Sequence, residues 1–381
     1  MVTATLAVAL IGPAGAVATS PDLAGPRARS AAGSLAVRTV LSGVGQSWDL
    51  AFIADRQFLF TERDSTNVRW ANLAGKERNL GSAKGLWSAG ETGLMAIETA
   101  RNFGQSRIFF TCHGYQAGDT QDVRVARWHV NAAATSVSLR KNIVTGLPST
   151  TGRHGGCALE RGRGGALFIG TGDAATGVNP QRLASGGGKV LRVDPRTGRG
   201  LPGNRFAGSD RAMKRRVYTY GHRNVQGLAR RAGGGMWSVE QGSYRDDEVN
   251  LLHRGGNYGW NPVPDYNESV PMTDKSLPGK QYSARWSSGP STLAASSADW
   301  LSGQRWGKRA GKVLAVSTLK DESLRFLFFN QQNRLARQTS PQALDGTYGR
   351  LRGVEMGPDH ALYLTTSNDN GTNKILRVTP R

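Results

Sequence analysis

The segment Arg163-Gly-Gly-Ala-Leu-Phe-Ile-Gly170 places a glycine turn directly before a short apolar run. This arrangement is typical of a buried β-strand that is entered from a tight turn. Comparable units recur to the end of the chain, each with a Gly, Asp or Ser turn next to an apolar or alternating run. The other five units are Ala51–Phe60, Gln105–Thr111, Gly233–Val239, Gly311–Ser317 and Gly357–Leu364.

Six such units predict an all-β fold, a six-bladed β-propeller of four-stranded antiparallel blades. The intervals between them suit a four-stranded sheet plus a loop, and sheets repeated around an axis leave few exposed edges. A β-sandwich would not explain why one unit recurs, and long amphipathic helices are scarce. The long segments 195–214 and 262–286 are predicted to be loops on one face.

Composition and charge narrow the functional classes. The chain has 381 residues, with 49 Lys and Arg against 28 Asp and Glu, which gives a formal net charge of +21. The basic residues are dispersed, and no zinc-finger, helix-turn-helix or RNP pattern is present, so we expect no nucleic-acid partner. Two cysteines are too few for a disulfide-dense scaffold.

The amino terminus predicts export. The first 20 residues carry no charge, and Ala16-Val-Ala18 is an A-x-A cleavage pattern. We therefore expect a signal peptide over 1–18, a leader over 19–37, a propeller over 38–381 and a secreted or periplasmic protein without a membrane span. Export would permit a disulfide between Cys112 and Cys157. Two buried thiols are the alternative.

One histidine is a candidate general base. His154 lies in Gly152-Arg-His-Gly-Gly-Cys157, where flanking glycines would leave its imidazole within reach of a ligand, and Thr171-Gly-Asp173 follows. Imidazole titrates near neutral pH and can accept a proton from a hydroxyl. The alternative is a histidine that only stabilises a turn.

Cationic residues gathered at predicted strand ends suggest an anionic ligand. Arg223 and Asn224 are neighbours in Tyr220–Gly227, where they supply a donor fork and an amide and where a surface turn is the alternative. Lys320 follows another predicted strand. Arg350 and Arg352 alternate, so they are predicted to face one side of a strand. Two guanidinium groups on one face repel each other unless an anion lies between them. This pattern predicts a small polyanionic ligand near a propeller axis.

An acidic segment could bind a cation. The stretch Glu240-Gln-Gly-Ser-Tyr-Arg-Asp-Asp-Glu248 is followed by Gly256-Asn-Tyr-Gly-Trp260. Carboxylates and exposed carbonyls are oxygen ligands that suit Ca²⁺, although the spacing does not match an EF-hand. A solvated acidic loop is the alternative.

These motifs, in this order, resemble the soluble quinoprotein sugar dehydrogenases, which include glucose dehydrogenase and the aldose sugar dehydrogenases and which use pyrroloquinoline quinone (PQQ). The resemblance covers residues 38–381. The matching motifs are Ser47–Phe52, Thr61–Arg63, Gly90–Leu94, Arg153-His154, Thr171–Asp173, Gly188–Arg192, Tyr220–Leu228, Glu240–Gly242, Asp247-Glu248, Asn257–Trp260, Leu319-Lys320 and Arg350–Arg352.

The resemblance implies a six-bladed propeller that oxidises aldoses at the anomeric C1 hydroxyl to lactones. His154 matches the base that takes the hydroxyl proton while hydride passes to the quinone C5. Glu91 matches a substrate-contacting position. The PQQ-binding positions would be Arg223, Asn224, Lys320, Arg350 and Arg352.

The resemblance also implies two Ca²⁺ sites. The carbonyls of Gly242 and Ser243 match the ion that polarises the quinone, whereas Glu248 and the carbonyl of Tyr258 match a structural ion. The implied partners are a sugar and an external electron acceptor, and the protein would be a monomer or homodimer.

Two other functions remain open at this point. A non-catalytic propeller could bind carbohydrate or a protein partner, but it would have no need for the cationic set together with His154. A Ca²⁺-dependent lactonase-like hydrolase would need several carboxylates around an axial metal, and a cationic axis argues against it.

Overall fold

The computed structural model describes residues 34–82 and 84–381. The strands in these residues form six four-stranded antiparallel sheets. The first strand of every sheet contacts the first strands of the two neighbouring sheets, so the six sheets close a ring around one axis. The predicted six-bladed β-propeller of four-stranded blades is therefore confirmed.

The chain enters with β1, and the first three blades follow in chain order. The first strand is β1 (Leu35–Val44). Blade 1 contains β2 (Ser47–Ala54), β3 (Gln57–Glu62), β4 (Val68–Asn72) and β5 (Glu77–Gly81). Blade 2 contains β6 (Leu94–Thr99), β7 (Ile108–Ala117), β8 (Thr120–Val130) and β9 (Val137–Leu147). Blade 3 contains β10 (Gly156–Arg161), β11 (Leu167–Thr171), β12 (Lys189–Val193) and β13 (Val217–Tyr220).

The last three blades complete the ring. Blade 4 contains β14 (Val225–Arg230), β15 (Met236–Glu240), β16 (Glu248–Leu251) and β17 (Trp286–Ser287). Blade 5 contains β18 (Ala295–Trp300), β19 (Val313–Thr318), β20 (Leu324–Phe329) and β21 (Leu335–Thr339). Blade 6 combines β22 (Leu351–Met356), β23 (Leu362–Thr366) and β24 (Asn373–Pro380) with β1.

Helices are short in the described residues. The α-helices are α1 (Phe103–Ser106) and α2 (Ala212–Arg216), and 3₁₀ turns occur at Arg163–Gly165, Gln304–Arg309 and Gln342–Leu344. Within the same residues, no helix has the length and apolar character needed to cross a membrane.

The amino-terminal strand closes the propeller. β1 pairs with β24 from Leu35 opposite Pro380 to Val44 opposite Asn373. Leu35–Val37 thus belong to blade 6, and the propeller starts three residues before the predicted boundary because these residues pair with 378–380. The predicted signal peptide, 1–18, lies outside the described residues.

Each of the six recurring units includes the start of the second strand of a blade; these strands are β3, β7, β11, β15, β19 and β23. This position is the most deeply enclosed, because a second strand has paired neighbours on both edges and adjacent blades on both faces. All residues of β11, β15, β19 and β23 are buried. Burial on both faces explains why these strands were the recognisable signal in the sequence.

The two long loops share the face where they begin, but neither is confined to it. Both connect the third and fourth strands of a blade, so both begin at the face that holds the β10–β11 turn. Pro195 and Arg196 line a cleft there with Gly164, whereas Phe206, later in the same loop, packs against Tyr220 at the far end of β13. The segment after β16 also reaches the opposite face, where Tyr266 contacts His154.

A ring of carboxylates surrounds part of the propeller axis. The fifth residue of β6, β10, β18 and β22 is acidic, which gives Glu98, Glu160, Asp299 and Glu355. With Asp49 they line an axial cavity of about 30 Å³, enough for a water molecule. Arg352 lines the same cavity. The sequence had suggested a cationic axis, but the structure shows that carboxylates line part of it.

Burial and mutual repulsion hold this ring partly protonated. The pKa is raised by burial to about 7 for Asp49 and to about 6 for Asp299. Burial, followed by the charges of the other four carboxylates, raises the pKa of Glu355 well above its usual value. Because these pKa values are raised in the folded state, the folded protein binds more protons than the unfolded chain. The free energy of unfolding therefore falls as pH rises from about 4 towards 7.

We expect Glu355→Gln to stabilise the protein at pH 8. The neutral amide removes the charge that faces all four other acids, so the free energy of unfolding should rise by about 1 kcal/mol. Thermal unfolding at pH 8 and pH 5 measures the effect, which should shrink at pH 5. Glu322→Gln, on the exposed surface, is the control. An equal gain at both pH values would contradict the charge explanation.

Candidate active site

His154 lies on a tightly packed turn before β10. Its backbone φ is 52°, a left-handed conformation that is uncommon outside glycine, and the residue is 3% exposed. A Cβ on Gly172 would lie 1.9 Å from the His154 carbonyl oxygen, and one on Gly152 would lie 1.9 Å from the Ala89 carbonyl oxygen. Glycine at these two positions lets three segments of backbone meet around the imidazole.

A disulfide anchors the same turn. Cys112 of β7 and Cys157 of β10 are bonded, with Cα atoms 5.5 Å apart, and both are fully buried. The bond joins blades 2 and 3 three residues after His154. Of the two alternatives that the sequence left open, the structure shows the disulfide.

Asp173 is the main partner of the imidazole. Its Oδ1 lies 2.9 Å from His154 Nδ1 and accepts a hydrogen bond from the Ala175 N–H. Its Oδ2 accepts hydrogen bonds of 2.8 Å each from Trp260 Nε1 and the Tyr266 hydroxyl. Four donors hold this fully buried carboxylate in place. The sequence motif included Asp173, but no role had been assigned to it.

Tyr266 is a site residue that the sequence did not reveal. Its hydroxyl lies 2.8 Å from both His154 Nδ1 and Asp173 Oδ2. Burial, and then the negative charge of Asp173, raises its pKa, so the hydroxyl stays protonated and can donate. Tyr266 is 112 residues from His154 in the chain. No local pattern connects the two.

A buried lysine stabilises the loop between β11 and β12. Lys189 Nζ donates to the carbonyl oxygens of Asn179, Pro180 and Gly187 at 2.6, 3.0 and 2.6 Å. Burial lowers its pKa to about 7. Asn179 in turn donates to the Asp173 carbonyl oxygen. Lys189 therefore supports the loop that carries the partner of the imidazole.

The structure brings Glu91 and Asn224 to the same turn. Glu91 Oε2 accepts hydrogen bonds of 3.2 Å from the His154 N–H and from Asn224 Nδ2. Asn224 Oδ1 accepts from the Gly156 N–H and from Gln226 Nε2, both at 3.1 Å. Asn224 is fully buried, so its amide holds neighbouring groups in place here.

Arg223 is buried beside this cluster and pairs with a second acid that the sequence did not reveal. Its Nη1 donates to the Gln241 carbonyl oxygen at 3.2 Å, and its Nη2 donates to Glu268 Oε1. Its Nε is buried and has no hydrogen-bond partner. Glu268 also pairs with Arg153 at 2.6 Å. Burial disfavours the charge of Glu268, but these hydrogen bonds outweigh it and lower the pKa.

Arg352 lines the axial cavity and also lies near other arginines. Its guanidinium carbon is 3.6 Å from the Trp48 ring centroid, and Nη1 donates to Gln226 Oε1 at 3.2 Å. Its Nε is buried without a hydrogen-bond partner. Burial, and then the charges of Arg63 and Arg350, lowers the pKa of Arg352 to about 9. An anion placed here would accept a hydrogen bond from Nε and would offset the repulsion from Arg63 and Arg350.

The other predicted cations are arranged less simply. Arg350 precedes β22, and its Nε donates to the Ser367 carbonyl oxygen at 3.1 Å. It lines a cleft with Tyr348 and Asn368, and a register shift in the pairing of β22 with β23 falls between Leu351 and Val354, where Arg352 lies. Lys320 is exposed just after β19, and its place in the cationic set stays a prediction. Arg63 also lies near Arg352, although it was not among the cationic residues predicted from the sequence.

The segment that carries Gly242 and Ser243 is a turn organised by Asp247. Asp247 Oδ1 accepts from the Gly242 N–H at 3.0 Å and from the Thr292 hydroxyl at 2.7 Å. Its Oδ2 accepts from the Leu293 N–H at 2.6 Å. This carboxylate shapes the turn instead of pointing to solvent.

Glu248 lies in a buried polar cluster. It is opposite Glu240 in the β15–β16 pair, and burial, followed by the charge of Glu240, raises its pKa well above the usual value. Asn250 Nδ2 donates to both carboxylates, whereas Asn250 Oδ1 is buried without a partner. Tyr258 stacks on the neighbouring His222, with ring centroids 4.6 Å apart. In the described residues, no group of three or more His, Cys, Asp or Glu could hold a metal ion.

Comparison with protein-family models assigns the chain to a family. The model for glucose/sorbosone dehydrogenases matches residues 44–377. The chain belongs to the glucose/sorbosone dehydrogenase family. It is therefore a sugar dehydrogenase, and the predicted resemblance is confirmed.

Individual relatives agree with this assignment. An aldose sugar dehydrogenase from Escherichia coli is 25% identical over 346 residues, which cover 88% of this chain and 90% of that protein. The PQQ-bound aldose sugar dehydrogenase from Streptomyces coelicolor is 26% identical with a TM-score of 0.77, covering 92% of this chain and 99% of that one. A putative glucose dehydrogenase from Thermus thermophilus is 30% identical with a TM-score of 0.77, covering 91% and 100%.

Proposed function

We propose that the dehydrogenase oxidises aldose sugars at the anomeric C1 hydroxyl to lactones, with PQQ as the hydride acceptor and Ca²⁺ as the ion that polarises the quinone. One observation carries the proposal: the buried guanidinium groups of Arg223 and Arg352 each keep an Nε without a hydrogen-bond partner, and both residues are linked to the His154 network. The Arg223 carbonyl oxygen accepts from the Asp173 N–H, and Gln226, which accepts from Arg352, donates to Asn224. A buried donor without a partner is costly, so a ligand that supplies acceptors is expected there.

The donor set fits PQQ. The cofactor carries three carboxylates, and guanidinium groups are well suited to bind carboxylates. Arg63 and Arg350 add positive charge around Arg352, and after burial they are the next causes that lower its pKa. When held by these arginines, PQQ would supply the quinone that takes up the hydride from C1 of the sugar, and Ca²⁺ would supply Lewis acidity.

His154 would take the proton. Its Nδ1 is engaged by Asp173 and Tyr266, which leaves Nε2 as the ring nitrogen available to a substrate. The anomeric hydroxyl would give its proton to Nε2 as the C1–H bond breaks and the C1 carbonyl of the lactone forms. Asp173 would orient the imidazole and stabilise its positive charge. Glu91 lies within reach of the same turn and is proposed to contact the sugar.

The Ca²⁺ ligands are proposed on chemical grounds. The carbonyls of Gly242 and Ser243 belong to the turn that Asp247 shapes, and carbonyl oxygens suit Ca²⁺. The second site would use Glu248 and the Tyr258 carbonyl. Glu240 is already bonded by His222 and by the Arg223 N–H. The Glu248 carboxylate and the unpartnered Asn250 Oδ1 beside it are oxygen groups that a cation would satisfy.

Absorbance spectroscopy tests the proposal. The protein is mixed with PQQ and Ca²⁺, and an aldose is then added without an electron acceptor. We expect a bound oxidised quinone spectrum that changes to the reduced form after the sugar is added. Absence of PQQ binding, or a spectrum that no aldose changes, would contradict the proposed function.

Tyr266→Phe should reduce kcat about tenfold and leave PQQ affinity unchanged. The variant removes one donor from Asp173, and hydrogen bonds to charged groups contribute about 1.5–3 kcal/mol. Trp260 and Ala175 still hold the carboxylate, which limits the loss. Steady-state kinetics measure the effect, with Tyr218→Phe on β13 as the control. A wild-type kcat would show that the hydroxyl does not support the base.

A further inference from the structure

Glu268 makes an unusual bridge between two arginines at the site. One carboxylate oxygen accepts from Arg223 Nη2 and the other accepts from Arg153 Nη2. The two arginines differ in burial, since the Arg223 side chain is 5% exposed and the Arg153 side chain is 45% exposed. The Glu268 side chain is 31% exposed, so it can move without disturbing the core.

The bridge leaves Arg223 only partly satisfied. Nε and one terminal nitrogen of a guanidinium form a fork that matches the two oxygens of one carboxylate. Glu268 supplies a single oxygen to Arg223 because its other oxygen is held by Arg153. Arg223 Nε consequently has no partner although it is buried. A carboxylate that approached Arg223 with both oxygens would bind it better than Glu268 does.

We propose that Glu268 is a placeholder carboxylate, which neutralises Arg223 in the cofactor-free protein and transfers to Arg153 when a cofactor carboxylate binds Arg223. This inference rests on the proposed function, because it takes Arg223 as a PQQ-binding residue. The cofactor-free protein avoids an unpaired buried charge, and in exchange the cofactor must compete with Glu268. Affinity for PQQ is therefore set partly by an acid that need not touch the cofactor.

The test is calorimetric titration of the full chain with PQQ in the presence of Ca²⁺. Glu268→Gln should bind PQQ about fivefold more tightly, an effect of the size expected for losing a partly exposed ion pair. The same variant without cofactor should unfold at a lower temperature, because Arg223 loses its counter-charge. Glu77→Gln is the control: its side chain is 35% exposed and also pairs with an arginine, but on the outer strand of blade 1.

A double-mutant cycle separates the transfer from general electrostatics. Arg153→Ala should weaken PQQ binding in the wild-type background, because Glu268 then has only Arg223 as a partner. In the Glu268→Gln background the same substitution should have little effect. An equal loss in both backgrounds, or weaker PQQ binding by Glu268→Gln itself, would overturn the placeholder role. A wild-type protein that binds no PQQ would instead overturn the proposed function and this inference with it.

Discussion

His154→Ala should lower kcat for aldose oxidation by about a thousandfold, within the range that a positioned general base contributes. Asp173 and Tyr266 both bind Nδ1 of the His154 imidazole. Alanine leaves no group there to take the proton of the sugar hydroxyl. PQQ affinity should stay close to the wild-type value, since the proposed cofactor contacts come from arginines. Single-turnover reduction of bound PQQ measures the chemical step directly.

The control for this prediction is His129→Ala. His129 lies on β8 and pairs with Ile108 and Ser138 in the sheet of blade 2. Its loss should leave kcat unchanged. If His154→Ala reduced PQQ at the wild-type rate, the imidazole would have no part in the reaction, and another base would be required.

Arg352→Met should weaken PQQ binding about a hundredfold while leaving the cofactor-free protein as stable as the wild type or more so. Removing one member of a buried charged pair costs several kcal/mol of binding. The free protein gains instead, because methionine fills the space over Trp48 without a buried charge that repels Arg63 and Arg350. Calorimetric titration and thermal unfolding measure the two effects on the same sample.

A matched control exists on the surface of blade 1. Arg78 lies 4.2 Å from the Trp70 ring centroid, so Arg78→Met also removes one positive charge and one contact with an indole ring. This variant should keep wild-type affinity for PQQ. Equal losses for both variants would mean that net charge alone attracts the cofactor. An unchanged affinity for Arg352→Met would remove Arg352 from the binding site.

Much of the fold was predictable because each blade repeats one local signal. The second strands β3, β7, β11, β15, β19 and β23 lie between neighbours on every side, so their sequences are apolar and begin near turns. Local patterns of this kind depend on a few consecutive residues. For the same reason His154 was recognisable: the glycines around it are required by close backbone approach within its own turn and at Gly172.

The structure added what arises only when distant segments meet. Tyr266 reaches Asp173 across 93 residues, and Glu268 reaches Arg153 across 115, through a segment whose path around blade 4 no periodicity indicates. The carboxylate ring likewise depends on four strands placing their fifth residue at one level of the axis.

The sequence by itself determined the number of blades, the enclosed strands, the histidine turn and most of the cationic residues. The tertiary structure decided which of those cations lie together and which acids oppose them. The physical reason is range: strand and turn preferences act between near neighbours in the chain, whereas hydrogen bonds and charge repulsion depend on distance in space.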